Sequence, residues 1–154
     1  MFAHSTADAP LTTVMPPEWA PHDRTWMAFP PANDTFGPDG SATLHRARAA
    51  WTAVARTVAA HEPVTVAVAP EDATTAAALL GPGIETVEVP LDDGWMRDFG
   101  PTFVHGPDGR VAAVDWIFNG WGAQDWAAWD SDRRVGSAVA ERAGWSYERP
   151  TPAF

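Results

Sequence analysis

Between Leu91 and Pro101 the chain gathers Asp92, Asp93, Trp95, Arg97 and Asp98: three carboxylates, an indole and a guanidinium within seven residues. A planar cation needs carboxylate oxygens that accept its N–H groups as a fork, and a flat apolar face against it. Asp98 and Trp95, three residues apart on a bent loop, supply one of each. The same residues also fit a plainer arrangement, in which Arg97 pairs with Asp92 or Asp93 at the surface and Trp95 is core. Residue chemistry alone favours that plainer arrangement. A second segment runs Asp115-Trp116-Ile117-Phe118-Asn119-Gly120-Trp121-Gly122. Asn119 can donate to and accept from neighbouring loops, while Gly120 and Gly122 permit tight turns. The rest of that segment reads as a structural turn with a core tryptophan.

Other chemistries are absent from the sequence. Cysteine does not occur, so the 154 residues offer no disulfide, no thiolate metal site and no thiol nucleophile. The five histidines show no metal-ligand spacing, and His45 and His61, on or at the end of a helix, read as solvated. No phosphate-binding glycine loop is present. No cofactor and no metal are expected. A net charge of −10 argues against nucleic acid and is compatible with a small cationic ligand. No apolar run reaches the roughly 18 residues of a membrane span. Residues 1–15 read as a loose leader without signal-peptide features, with Met15 an alternative start, and a cytoplasmic location is the expectation. Nine tryptophans and seven phenylalanines are a heavy aromatic load for this length, suggesting apolar surface that belongs against further polypeptide.

The elements that must position these residues follow from periodicity. Thr25 to Phe29 suits a short strand between prolines. Ser41 is placed to cap a helix from Ala42 to about Ala60, whose apolar face is Leu44, Ala47, Trp51, Val54, Ala55 and Val58. Val64 to Ala69 suits a buried strand, Glu71 to Leu80 a second helix, and Ile84 to Val89 a half-covered strand. Thr102–His105 and Arg110–Phe118 form a hairpin about Gly106–Gly109, residues 119–130 a loop, and Ser131 or Asp132 caps a last helix to about Ala143. The class is mixed α/β with short units.

These motifs together resemble those of agmatine deiminases and bacterial peptidylarginine deiminases. Pro16-Pro17-Glu18-Trp19-Ala20-Pro21-His22 with Trp26-Met27-Ala28-Phe29-Pro30 resembles the family's opening. Trp95 to Phe103 resembles W-x-R-D-x-G-P-T, Asp115 to Gly122 resembles D-W-x-F-N-x-W-G, and Trp129-Asp130-Ser131-Asp132 resembles W-D-x-D. The resemblance implies a pentein fold, an α/β propeller of ββαβ units, with about the first two of five blades in residues 16–154. It implies hydrolysis of a guanidinium, in agmatine or peptidyl-arginine, by a cysteine thiolate that forms a covalent amidino intermediate. By motif position Asp98 is one of the two aspartates that grip the guanidinium and Trp95 the wall beside it. Arg97, Asn119 and Trp121 brace the loops.

The sequence also departs from that pattern. The family's E-G-G-x-x-H-x-D and G-G-N-x-H-C segments, which carry the histidine, the second aspartate and the nucleophile, have no counterpart here. Phe99 stands where a smaller or polar residue is frequent. The expectation is a truncated N-terminal part of a deiminase that is inactive alone, partnered by the missing C-terminal half or by further copies of itself. The alternative is a non-catalytic module that binds cationic guanidino compounds or polyamines.

Overall fold

The computed structural model describes residues 13–106 and 108–150. Two three-stranded sheets organise them. In the first, β1 (Thr25–Ala28), β2 (Val64–Val68) and β3 (Glu85–Glu88) run parallel in that order, with β2 in the centre. Every residue of β2 is buried, as a central parallel strand requires, and its alternating side chains feed two separate cores. Val64, Val66 and Val68 face helices α1 (Ala42–Ala59) and α2 (Ala73–Leu80), packing with Ala55, Ala76 and Leu80. Ala67, on the other face, packs with Val87, Val89, Leu91, Phe99, Val135 and Val139. Parallel strands need helical crossovers, and α1 and α2 supply them.

Ser41 caps α1 as expected, its Oγ accepting from the Leu44 amide at 3.2 Å. The buried face of α1 is Leu44, Arg48, Thr52 and Ala55, rotated from the apolar stripe that the spacing suggested, and Val54 is exposed. Arg48 is responsible. It is buried because Asp72 pairs with it at 2.6 Å, the Pro30 carbonyl accepts its Nε at 3.0 Å, and it lies over the Phe29 ring. An arginine can join a core face only with such partners. The second helix is split: Pro70–Asp72 is a 3-10 turn and α2 begins at Ala73.

In the second sheet β4 (Thr102–His105) pairs antiparallel with β5 (Val111–Val114), and β5 pairs parallel with β6 (Tyr147–Glu148). The crossover from β5 to β6 is the terminal helix, Val135–Ala143. This is a ββαβ unit. The hairpin was legible in the sequence, whereas β6 is two residues in a stretch read only as a proline-bearing tail. Val14, placed in the leader by sequence, bridges to His105 of β4 through two backbone hydrogen bonds of 2.9 and 2.8 Å. Residues 1–12 of that leader lie outside the described residues, as do Pro107 of the hairpin turn and the last four residues. No helix among the described residues is long and apolar enough to cross a membrane.

Candidate active site

The chain leaves β3 through Val89-Pro90-Leu91 and enters the motif loop. Leu91 anchors it in the core between the first sheet and the terminal helix. Four residues, Met96–Phe99, then form the single helical turn α3, with Phe99 buried at its end. The Asp98 amide donates to the Trp95 carbonyl at 2.9 Å, so Trp95 and Asp98 sit on one turn.

Trp95 is not core: it is 39% exposed. Its ring is held from behind by Phe36 and by Trp51 of α1, at centroid distances of 5.9 and 5.6 Å. Phe36 and Trp51 meet edge to face at 5.5 Å. Gly94 lets this cluster form, since a Cβ there would lie 3.2 Å from the Phe36 ring. An indole held by two rings and still 39% exposed offers a fixed apolar surface. Phe36 and Trp51 were not singled out from sequence for this role; Trp51 read only as helix core.

Asp98 is exposed, and its Oδ2 accepts the Trp121 indole N–H at 3.1 Å. Its Oδ1 accepts no protein donor among the described residues. Trp121 therefore braces the carboxylate from 23 residues away. Its own placement is unusual. Gly120 to Ala123 form one left-handed turn, with φ of 63°, 57°, 93° and 57°. Trp121 and Ala123 are L-residues in a region that costs each about 1–2 kcal/mol. Asn119 supports the turn, its Oδ1 accepting from the Gly122 amide at 2.9 Å and its carbonyl from the Ala123 amide at 2.7 Å. Those partners lie in its own turn, not in a neighbouring loop as its chemistry had suggested. Phe118 meets Trp121 edge to face at 5.1 Å, and Trp126 stacks on it at 5.5 Å. Gly120 has a second reason to be glycine: a Cβ would come within 2.2 Å of the Trp129 ring.

Arg97 pairs with neither Asp92 nor Asp93. It reaches Glu18 in the proline-rich opening segment at 2.5 Å, across an exposed contact that holds the Glu18 carboxyl below its usual range. Both aspartates are used elsewhere. Asp92 accepts the Ser131 and Asp132 amides at 2.6 and 3.4 Å, while Asp132 accepts the Asp92 and Asp93 amides at 2.8 and 3.3 Å. Neither Ser131 nor Asp132 caps its own helix with its side chain, contrary to the sequence expectation; Asp92 caps that turn from across the fold. Burial raises the Asp93 carboxyl, against the opposing pull of the Gly94 amide.

Asp115, 1% exposed at the end of β5, pairs with Arg149 just beyond β6. Gly136 of the terminal helix packs so closely on it that a Cβ would meet Asp115 Oδ1 at 2.2 Å. The fold thus joins Trp95 and Asp98 on one turn and Trp121 to Asp98 by a hydrogen bond, while Arg97 reaches Glu18 and Asn119 holds the turn that carries Trp121.

Cavities of about 490, 240 and 550 Å³ include Asn119, Asp92 with Asp93, and Met96 with Arg97 respectively, but neither Trp95 nor Asp98 lines them. Their face is open. Among the described residues no group of three or more His, Cys, Asp or Glu side chains could hold a metal ion.

Residues 14–152 match the profile of Porphyromonas-type peptidyl-arginine deiminases. A Streptomyces coelicolor protein, itself named provisionally as an agmatine deiminase, is 56% identical over 133 residues, covering 86% of this chain and 39% of the relative. The agmatine deiminase of Stutzerimonas stutzeri is 44% identical over 131 residues, covering 82% and 34%. The structure of an Enterococcus faecalis agmatine deiminase superposes with a TM-score of 0.81 at 30% identity, covering 90% of this chain and 38% of that one. The chain therefore spans well under half the length of the relatives it matches. The expected pentein architecture, present here in part, is borne out by this match to a portion of a solved agmatine deiminase. With a profile match across nearly its whole length, the chain belongs to the Porphyromonas-type peptidyl-arginine deiminase family.

Proposed function

We propose that this chain supplies one half of the guanidinium clamp of an agmatine-type deiminase. The observation that carries the reading is the turn that sets the half-bare Trp95 indole beside Asp98, whose Oδ2 is fixed by Trp121 while Oδ1 stays open. A guanidinium lying on Trp95 gains cation–π attraction and donates an N–H to Asp98 Oδ1. Agmatine is the favoured substrate, because relatives named for it match at 56% and 44% identity.

In the full reaction a cysteine thiolate attacks the guanidinium carbon, ammonia leaves with a proton from a histidine, and water releases the ureido product. Asp98 keeps the guanidinium charged and oriented, which makes its carbon electrophilic. These 154 residues hold no thiol, so the covalent step must be supplied by other polypeptide and the chain alone should not turn over. The absence of that thiol also favours a second reading, a non-catalytic holder of guanidino compounds built on the same clamp.

A chimera separates the two. Residues 16–150 of this chain joined to the remainder of the Streptomyces coelicolor relative should release ammonia from agmatine, whereas the chain alone should not. Asp98→Asn in the chimera should lower kcat/KM by about 100-fold or more. Turnover by the isolated chain, or near-normal kinetics in the Asp98→Asn chimera, contradicts the assignment.

A further inference from the structure

We propose that Asp132, paired with Asp92, is a positioning residue that sets the angle at which the Trp95–Asp98 turn faces its ligand. The proposal rests on the reading of Trp95 and Asp98 as a cation clamp. Two loops 40 residues apart in sequence exchange hydrogen bonds in both directions. Asp132 Oδ1 holds the Asp92 and Asp93 amides, Asp92 Oδ2 holds the Ser131 and Asp132 amides, and the Asp93 carboxylate holds the Gly94 amide at 2.7 Å. Three consecutive amides leading into Trp95 are thereby pinned by carboxylates. Trp95 follows at once, and its carbonyl receives the Asp98 amide, so a displacement of the loop reaches the clamp within four residues.

Capping of the 132–134 turn would need only Asp92. The Asp132 bonds run the other way, to amides that do nothing for its own helix, and its side chain is fully buried to make them. A buried carboxylate costs stability, and among the described residues Oδ2 has no hydrogen-bond partner. Burial, with Asp92 and Asp93 nearby, pushes the Asp132 carboxyl from 3.8 up to about 7. A charged carboxylate is the stronger acceptor for backbone amides, so the grip tightens as pH rises through neutrality. The other charged groups around it are otherwise engaged or exposed. α3, packed on the same turn, carries Arg97 paired with Glu18 and Asp98 bonded to Trp121. Beside Asp132 in sequence, Arg133 pairs with Asp130, and Arg134 is exposed.

The test follows backbone amide and indole N–H resonances of the full chain across neutral pH, with and without agmatine. In the wild type the Asp92 and Asp93 amides should titrate together with a midpoint near 7, and the Trp95 indole with them. Asp132→Asn keeps an acceptor oxygen but cannot titrate: the indoles of Trp95 and Trp121 should hold, at every pH, the positions of the wild type on the acid side of its transition, and the shared midpoint should vanish. Asp132→Ala should move both indoles and weaken the agmatine response at least about tenfold, with Asn restoring it. Independent titration of the two amides, or wild-type indole positions and agmatine response in Asp132→Ala, overturns the proposal. Should Asp132→Ala fail to fold, the wild-type titration and the Asn variant still decide. A wild type that shows the shared midpoint but no agmatine response overturns the clamp reading, and with it the positioning role.

Discussion

On the proposed clamp reading, the two oxygens of Asp98 have different tasks. Trp121 occupies Oδ2, which fixes the carboxylate plane and leaves Oδ1 as the directed acceptor. Trp121→Phe keeps the ring packing against Phe118 and Trp126 but removes the N–H. That change should weaken the agmatine interaction about fivefold to tenfold, read as KM in the chimera, with the fold unaltered. An unchanged KM would mean that the indole does not orient Asp98. Asp132 supplies a prediction about stability. Its folded carboxyl, raised to about 7 from 3.8, holds a proton that the unfolded chain has already released. That contribution is fully present below about 3.8, diminishes as pH rises, and is lost by about 7. Glu62 and Glu85 act in the opposite sense, because Thr25 and Thr65 with their partners lower those carboxyls, and their contribution is lost only in acid below 4.5. Urea unfolding at pH 5 and pH 8 should show wild-type stability falling by up to a few kcal/mol through this group, and Asp132→Asn should flatten that difference. An equal slope in the variant would place the titration elsewhere.

At the scale of elements, the site depends on glycines that let backbones approach. Gly136 lets the terminal helix close over Asp115, and Gly136→Ala forces the Asp115–Arg149 pair or the helix to move. Thermal unfolding should show a loss of about 3 kcal/mol or more, because neither a buried carboxylate nor a helix backbone yields cheaply. A change below about 0.5 kcal/mol would mean that the helix relaxes freely. Much of this level was legible in the sequence: the strands at Thr25 and Val64, the Ser41 cap and the hairpin of β4 and β5 all carry local signals, although β5 stops at Val114 and not at Phe118. What was not legible depends on partners distant in sequence. Arg48 enters the α1 core face only because Asp72 and Pro30 await it, a contact no period of 3.6 encodes. The left-handed turn at Gly120–Ala123 requires φ of 57° at a tryptophan, against its intrinsic preference. β6 is too short for alternation to show, and exists because β5 offers it an edge. Trp95, Asp98 and Trp121 could be named from their motifs. The ring pair at Trp95 and the Asp92–Asp132 exchange needed the fold, since both join segments that sequence order keeps apart.

At the scale of the molecule, the two units share a core but leave aromatic surface bare. Trp19, Trp116 and Trp126 are 88%, 51% and 64% exposed, and the clamp itself faces outward. Relatives more than twice as long carry further polypeptide, and an open half-clamp fits a site that such polypeptide would close. Binding by the half-clamp alone is accordingly expected to be weak, on the order of millimolar. The most direct test is an agmatine titration of the chain followed by the indole N–H resonance of Trp121, the proton already shared with Asp98. Saturable movement of that signal, lost in Asp98→Asn, is the predicted result. No movement at tens of millimolar agmatine, or the same movement in Asp98→Asn, would contradict the claim that Trp95 and Asp98 hold a guanidinium.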